Sequence, residues 1–343
     1  MKLHTQVMTL RLARPFIISR GAITTQKTVI VRLEEAGEIG YGEVTENDFY
    51  EHSAESILAS IERVRPLVEA CGSLDAQELW ASLCDPLKND LFALCAIDIA
   101  AHDLQSKLAG RRCHESLGLE WVPGPESSLT LSIGTPEEVI EEYKLNPGWA
   151  GYKLKLGTEH DLEVVRRLRE ETDAVLRIDA NCAWSVEETI ENSFAMRELG
   201  VEFLEQPLSR TARVEELVKV FEESALPVIA DESCCVASDV RLCVDRFHGV
   251  NIKLCKCGGL TPAVRMLREA RSLGLKTMVG CMIETSIGIT AAAQLLPLLD
   301  YCDLDGALLL AEDPATGAEV RQGKVSLPDA PGCGGRLAET AFA

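Results

Sequence analysis

The sequence contains no apolar run long enough to cross a membrane. Its most apolar segment, residues 91–104 (LFALCAIDIAAHDL), is interrupted by Asp98 and Asp103, whereas a membrane-spanning helix needs about 20 predominantly apolar residues. Residues 1–16 (MKLHTQVMTLRLARPF) also lack the apolar core of a signal peptide. We therefore expect a cytoplasmic protein that has no membrane partner.

Positive charge is scarce as well. The chain has 34 Lys and Arg residues against 54 Asp and Glu residues, which gives a formal net charge of −20. A surface of this sign repels a phosphate backbone, so we expect no nucleic-acid partner. The composition, 46% hydrophobic and 26% charged, is otherwise typical of a globular protein. A length of 343 residues suffices for one large domain or for two domains.

Cysteine is present, but the patterns that would give it a structural role are missing. The 13 cysteines include the adjacent Cys234 and Cys235 and the C-x-C pair Cys255 and Cys257, without the paired C-x-x-C spacing of a zinc site. An odd count in a chain without a signal peptide also argues against a disulfide framework. We expect most of these residues to be small buried hydrophobic side chains.

The first third of the chain predicts an α+β unit. Residues 28–45 read as two strands joined by a glycine turn, and apolar residues recur at helical spacing through residues 53–110. The segment EWVPGPESS at residues 120–128 has the composition of a linker. We predict a capping domain over residues 1–125, which the C-terminal segment 322–343 joins.

A strand–helix unit then repeats along the chain. The candidate strands are LTLSIG, GYKLKLG, AVLRIDAN, VEFLEQP, LPVIADES, GVNIKLCKCGG, KTMVGCMIE and YCDLDGALLL. Eight such units predict a (β/α)₈-type barrel over residues 126–321, so the fold class is α/β. A doubly wound sheet is the alternative, but no G-x-G-x-x-G follows the first strand.

Ionisable residues recur at the expected C-terminal ends of the barrel strands. In chain order they are Lys153 and Lys155, Asp179, Glu205, Asp231, Lys253, and then Asp303 and Asp305. An unpaired charge beside an apolar run is costly, and the active sites of such barrels lie at this end. The regular placement predicts an active site rather than scattered surface charges.

Three of these residues predict a metal site. Asp179, Glu205 and Asp231 follow three consecutive strands, so their carboxylates can converge. Anions brought together need a cation, and a set of oxygen ligands without His or Cys favours Mg²⁺, with Mn²⁺ possible. The alternative is a set of salt bridges between these acids and the neighbouring lysines.

The lysines predict acid/base chemistry. Lys153 and Lys155 are two positions apart and share one face of their strand. Alone, this pair would indicate a solvated edge strand. Together with Lys253 on the sixth strand it places lysines on both sides of the expected metal. Since a neighbouring cation lowers a lysine pKa, Lys153 would favour the neutral form of Lys155. A base on each face of a substrate carbon could remove a proton on one side and return it on the other.

These residues stand in recognisable motifs. The motifs are KLK (153–155), RIDAN (177–181), FLEQP (203–207), ADES (230–233), NIKLCKCGG (251–259), GCMIETSIGITAAA (280–293) and DLDG (303–306). Together they resemble the muconate-lactonising subgroup of the enolase superfamily, and the last two resemble its dipeptide epimerases. The resemblance covers nearly the whole chain.

The resemblance implies a role for each residue. Lys155 and Lys253 would be the two acid/base catalysts, and Lys153 would assist at the substrate carboxylate. One Mg²⁺ per subunit would be held by Asp179, Glu205 and Asp231. Asp303 and Asp305 would hold the α-ammonium group of a dipeptide, although they could instead be solvated loop acids. The remaining pocket residues implied are Thr130, Cys281, Met282 and Ile283.

The implied reaction is epimerisation at the α-carbon of the C-terminal residue of a dipeptide, through an ene-diolate. We expect L-Ala-D/L-Glu as the substrate, with Arg20 pairing the glutamate carboxylate and Lys27 as a competitor for that role. Glu46, Asp48 and Glu51 would instead suit a cationic dipeptide, and a hydrophobic one is a further alternative. The same site could run the reactions of o-succinylbenzoate synthase or muconate cycloisomerase, whose substrates need no acidic pair. We also expect a homo-oligomer.

Overall fold

The computed structural model describes residues 1–18, 21–72 and 74–338. The N-terminal part is an antiparallel sheet of three strands followed by helices. Its elements are β1 (Lys2–Ile18), β2 (Gly21–Glu35), β3 (Glu38–Thr45), α1 (Ala54–Glu69), α2 (Ala76–Leu83), α3 (Leu91–Leu108) and α4 (Cys113–Ser116). The predicted hairpin at residues 28–45 is confirmed. In the register of β2 and β3, Thr28 lies opposite Thr45 at one end and Glu35 lies opposite Glu38 at the turn.

The second part is a parallel sheet of eight strands in sequence order. The strands are β4 (Leu129–Leu131), β5 (Gly151–Lys155), β6 (Val175–Asp179), β7 (Val201–Glu205), β8 (Val228–Ala230), β9 (Gly249–Ile252), β10 (Lys276–Gly280) and β11 (Tyr301–Asp303). A bridge between Ser127 and Cys302 joins the two ends of the sheet. The predicted (β/α)₈-type barrel is confirmed.

Helices connect the barrel strands and cover them from outside. They are α5 (Pro136–Leu145), α6 (Asp161–Glu171), α7 (Val186–Glu198), α8 (Val214–Glu223), α9 (Ala237–Leu242), α10 (Leu254–Cys257), α11 (Leu260–Ser272) and α12 (Ser286–Ala293). Several begin at a capping box. Thr135 at the start of α5 and Ser185 at the start of α7 each accept from a backbone N–H three residues on.

Four short strands follow in the described part of the chain: β12 (Ala315–Thr316), β13 (Glu319–Arg321), β14 (Lys324–Ser326) and β15 (Arg336–Leu337). The C-terminal segment returns to the N-terminal part. Cys333 N–H donates to Asp103 of α3 at 2.7 Å, and Asp329 forms an ion pair with Arg112. Residues 119–126 form neither helix nor strand. We propose that the boundary between the capping domain and the barrel domain lies in this segment, and that the residues after 321 belong to the capping domain.

Helix α3 explains the most apolar segment of the sequence. It is buried between the capping sheet and the barrel along nearly its whole length. Gly42 of β3 allows this packing, because a Cβ there would lie 1.9 Å from the carbonyl oxygen of Ala96. The two acids that interrupt the run are buried anchors: Asp98 accepts from Thr261 of the barrel and Asp103 pairs with Lys107. None of the described helices is both long and apolar enough to span a membrane.

Two predicted strands are shorter than their apolar runs. The sixth ends at Ile252, and residues 254–257 form the one-turn helix α10, which stops at Gly258 in a left-handed conformation (φ 93°). The eighth ends at Asp303, and Gly306–Leu309 form a 3₁₀ turn. None of the 13 cysteines, which all lie within the described residues, forms a disulfide bond, and most are buried.

Candidate active site

The three predicted metal ligands converge at one end of the barrel. Asp179 ends β6, Glu205 ends β7 and Asp231 directly follows β8. Asp179 and Glu205 are paired neighbours in the sheet register. One oxygen from each of the three carboxylates lies within 4.8 Å of the others, and the side chains are at most 1% exposed. The structure therefore builds a compact cluster of buried acids where the sequence places it.

Asp179 and Glu205 each present one oxygen to a neutral N–H donor and one to a lysine, whereas both oxygens of Asp231 contact lysines. The contacts to the first oxygen are Asn181 N–H to Asp179 Oδ1 (3.0 Å), Asn251 Nδ2 to Glu205 Oε1 (2.7 Å) and Lys256 Nζ to Asp231 Oδ1 (2.5 Å). The lysine contacts are Lys155 to Asp179 Oδ2 (2.6 Å), Lys153 to Glu205 Oε2 (3.4 Å) and Lys253 to Asp231 Oδ2 (2.9 Å). The salt bridges considered as an alternative reading of the sequence are thus present, on one oxygen of Asp179 and of Glu205 and on both oxygens of Asp231.

The charges of the cluster are unevenly balanced. Burial, and then the charge of Asp179, raises the pKa of Glu205 to about 7. Burial also acts to raise the pKa of Asp231, but Lys253 and Lys256 outweigh it and hold that pKa below its usual value. Burial would lower the pKa of Lys153, yet Asp303 and the other nearby acids raise it well above normal. Of the three acids in the cluster, Glu205 is therefore the one whose charged form is least stabilised by its surroundings.

The donor set fits a divalent cation of the Mg²⁺ type. The three side chains offer only carboxylate oxygens, which are the ligands that hard cations prefer. Their burial excludes bulk water, and this burial, together with the charge of Asp179, raises the pKa of Glu205. A divalent ion would supply positive charge at the point where the three buried carboxylates converge.

Asp303 and Asp305 are buried rather than solvated, so the alternative reading as loop acids is wrong. Each is 3% exposed. Asp303 forms an ion pair with Lys153, and Asp305 Oδ2 accepts the backbone N–H of Thr130 at 2.6 Å. Burial, and then the charge of Asp303, raises the pKa of Asp305 to about 7. A cationic group placed beside this second acidic pair would offset the repulsion between the two buried carboxylates.

A cavity of about 110 Å³ brings these groups together between the capping sheet and the barrel. Of the residues expected from the sequence, it is lined by Thr130, Lys153, Lys155, Lys253, Cys281, Met282, Ile283, Asp303 and Asp305. β5, which carries the first two lysines, lies four strands away from β9, which Lys253 follows. In a barrel of eight strands these positions are on opposite sides, so lysines face the cavity from two directions.

The capping sheet supplies the remaining wall of the cavity. Phe16, Ile18, Ile23 and Gln26 line it, together with Glu46. The side chain of Glu46 also accepts from the N-terminal N–H of α1.

Lys27, which was considered for side-chain recognition, does not line this wall. Lys27 pairs with Glu55 at 2.8 Å on the surface, which takes its ammonium group away from the cavity. Arg20 lies outside the described residues, so its expected role stays a prediction.

The comparisons with known proteins agree with this architecture. Residues 2–118 match the mandelate racemase / muconate lactonizing enzyme N-terminal domain, and residues 137–341 match the enolase C-terminal domain-like family. The chain belongs to the enolase superfamily. The resemblance of its sequence motifs is thereby confirmed.

Within this superfamily, the chain is similar to proteins that are named epimerases. The chain is 46% identical to an L-Ala-D/L-amino acid epimerase of Flavobacterium johnsoniae, over 97% of this chain and 99% of that protein. It is 35% identical to an L-Ala-D/L-Glu epimerase of Bacteroides thetaiotaomicron, over 95% and 85% of the two chains. A dipeptide epimerase from Cytophaga hutchinsonii, solved with Mg and D-Ala-L-Val, has a TM-score of 0.93 at 28% identity and covers 100% and 98% of the two chains.

Several residues of the site were not predicted from the sequence. Asn181, Asn251 and Lys256 hold the outer oxygens of the carboxylates, and Phe16 and Ile23 come from the cap. Asn181 stands within the motif RIDAN, and Asn251 and Lys256 stand within NIKLCKCGG, so a signal for all three was present. Phe16 had none, because its position depends on how the long strand β1 folds over the barrel.

Proposed function

We propose that this protein is a Mg²⁺-dependent dipeptide epimerase that inverts the α-carbon of the C-terminal residue. The observation that carries the proposal is the placement of Lys155 and Lys253 on opposite sides of one cavity, next to a cluster of three buried carboxylates. The names of the relatives and the Mg-bound neighbour support it.

The acidic pair binds the amino end of the substrate. Asp303 and Asp305 are buried beside the cavity, and burial, together with the charge of Asp303, raises the pKa of Asp305. The α-ammonium group of a dipeptide supplies the opposite charge and three N–H donors. This contact fixes the direction in which the dipeptide lies, with its carboxylate toward the lysines.

The two lysines move the proton. One of them, as the free amine, takes the α-proton from one face of the carbon, and the other, as the ammonium, donates a proton to the opposite face. Lys153, held by Asp303, keeps its positive charge near the substrate carboxylate. Mg²⁺ held by Asp179, Glu205 and Asp231 would stabilise the negative charge that develops on that carboxylate.

The choice of dipeptide depends on the capping wall. We expect L-Ala-D/L-Glu, with Arg20 as the partner of the glutamate carboxylate, and this expectation rests on the sequence. The described wall is largely apolar at Phe16, Ile18 and Ile23, which suits the aliphatic part of a side chain. Location in the cytoplasm, assembly into a homo-oligomer and a stoichiometry of one Mg²⁺ per subunit also stay predictions.

Incubation with a dipeptide panel in D₂O tests the proposal. The panel contains L-Ala paired with acidic, basic and apolar L-residues, and mass spectrometry measures deuterium at the α-carbon. We expect one deuterium per epimerised molecule in the presence of Mg²⁺. If no dipeptide exchanges its α-proton while a succinylated or lactone-forming acid is converted, the alternative reactions of the superfamily replace this one.

A further inference from the structure

Lys256 is a buried lysine that contacts the carboxylate cluster without serving the proposed proton transfer. Its side chain is 1% exposed. The ammonium group donates to Asp231 Oδ1 at 2.5 Å, to the backbone oxygen of Asp231 at 2.5 Å and to the backbone oxygen of Asn251 at 3.2 Å. An ammonium group has three protons, so these acceptors use its full hydrogen-bonding capacity. Lys256 is thereby fixed in place.

The local chain geometry divides the two oxygens of Asp231 between two lysines. Lys253 precedes the one-turn helix α10 and Lys256 lies in its last turn, so the two side chains project to the same side. Lys253 takes Oδ2 at 2.9 Å and Lys256 takes Oδ1. Gly259 closes the turn against Asp98, where a Cβ would lie 2.3 Å from a carboxylate oxygen. The turn therefore has little freedom to move.

The two lysines differ in what else they touch. Lys253 lines the substrate cavity, whereas Lys256 points to backbone oxygens behind the cluster. Asn251, which accepts from Lys256 through its carbonyl, holds Glu205 Oε1 with its side-chain amide. One ammonium group thus orients Asp231 directly and is linked to Glu205 through Asn251.

We infer that Lys256 is a positioning residue for the metal site. It holds Asp231 in the position from which this carboxylate would bind the ion, and it remains the counter-charge of Asp231 when Lys253 acts on the substrate. The inference rests on the proposed function, because it takes Asp231 as a metal ligand and Lys253 as an acid/base. Replacement of a residue that does not bind the metal but orients one of its ligands typically changes the metal affinity 10–100-fold.

The test measures Mn²⁺ binding to the substrate-free protein by electron paramagnetic resonance. Lys256→Met is compared with wild type and with Lys107→Met. Lys107 is a matched control, because its ammonium also donates to a buried aspartate and a backbone oxygen, Asp103 and Ile39, both at 2.7 Å, but in the cap. We expect the Kd for Mn²⁺ to rise at least about tenfold in Lys256→Met and to stay unchanged in Lys107→Met. The Mn²⁺ concentration for half-maximal epimerisation should rise in parallel, with a smaller effect on kcat at saturating Mn²⁺.

The possible results separate the inference from the proposed function. Unchanged Mn²⁺ affinity in Lys256→Met overturns the inference alone. A wild-type protein that binds no Mn²⁺ removes the metal from the proposed function, and with it this role of Lys256. Epimerisation is assayed separately, so a protein that binds Mn²⁺ but epimerises no dipeptide leaves the metal site intact and refutes only the reaction.

A measurement on the wild-type protein covers the case in which Lys256→Met does not fold. With ¹⁵N-labelled lysine, the ammonium protons of Lys256 should stay protected from exchange with water before and after Mg²⁺ is added, while the signal of Lys253 changes. The signal of Lys256 is assigned by its absence from the spectrum of Lys256→Gln, which retains N–H donors without the charge. A Lys256 signal that loses its protection when Mg²⁺ binds would overturn the inference.

Discussion

The ammonium nitrogen of Lys155 lies 2.6 Å from Oδ2 of Asp179, its paired neighbour in the sheet register. A proposed base and a proposed metal ligand therefore sit side by side at the ends of adjacent strands. The same arrangement recurs across the barrel, where Lys253 contacts Asp231. The proposed acid/base groups and metal ligands are thus in direct contact, so a substitution of one should alter the environment of the other.

Removal of any one ligand should abolish activity. We expect Asp179→Asn, Glu205→Gln and Asp231→Asn each to lower kcat/KM by about 10³-fold or more, because an α-proton next to a carboxylate is too weakly acidic for lysine without electrostatic stabilisation. Asp161→Asn is the matched control: this buried aspartate accepts from Trp184 at 2.8 Å but lies outside the cluster. Full turnover after treatment with EDTA would remove the metal from the mechanism.

The two lysines should be separable by isotope exchange. Lys155→Ala and Lys253→Ala should each lower epimerisation by about 10²–10⁴-fold, the usual loss for a general base. Each variant should still exchange the α-proton of one stereoisomer with D₂O through the remaining lysine, and the two variants should prefer opposite stereoisomers. Lys276→Ala, an exposed lysine at the start of β10, should behave as wild type. Normal epimerisation in both active-site variants would contradict a two-base reaction.

The acidic pair should require a free amino group on the substrate. N-acetylation of the dipeptide removes the charge that offsets Asp303 and Asp305 and should cost about 2–5 kcal/mol in kcat/KM at this buried site. Asp305→Asn should weaken binding of the free dipeptide and reduce the discrimination against the acetylated one. Equal rates for free and acetylated dipeptides would refute this role and favour N-acyl or succinylbenzoate substrates.

A buried acid away from the cluster should make stability depend on pH. Burial, and then the charge of Glu43, raises the pKa of Glu284 well above its usual value. The stability contributed by this protonated acid is full below the unfolded pKa, about 4.3, and is lost as the pH rises through the higher folded pKa. Glu284→Gln mimics the protonated form, so its Tm relative to wild type should increase from about pH 5 to about pH 8. A constant difference, as expected for the exposed Glu170→Gln control, would contradict the shift.

The sequence was most informative where side chains follow buried parallel strands. The apolar runs ending in Asp179, Glu205 and Lys253 predict both the barrel and the convergence of charge, because the ends of parallel strands meet at one edge. The ion pair between Lys153 and Asp303 was not foreseen, since it crosses between β5 and β11, which are not neighbours in the sheet. Lys256 was taken as part of a strand, because an apolar run alone cannot distinguish a strand from a single helical turn.

The substrate is decided by the cap, where sequence patterns say least. We expect wild type to turn over L-Ala-L-Glu at least about tenfold faster, in kcat/KM, than L-Ala-L-Lys or L-Ala-L-Phe, because Arg can clasp a carboxylate with two hydrogen bonds. The acidic surface does not prevent this, since a Debye length of about 8 Å screens distant charge. Arg20→Ala should lose the glutamate substrate but keep an apolar dipeptide, because Phe16, Ile18 and Ile23 still line the wall. If Arg20→Ala leaves L-Ala-L-Glu turnover unchanged, or wild type prefers L-Ala-L-Phe, the side chain is selected by the apolar wall and the expected substrate is wrong.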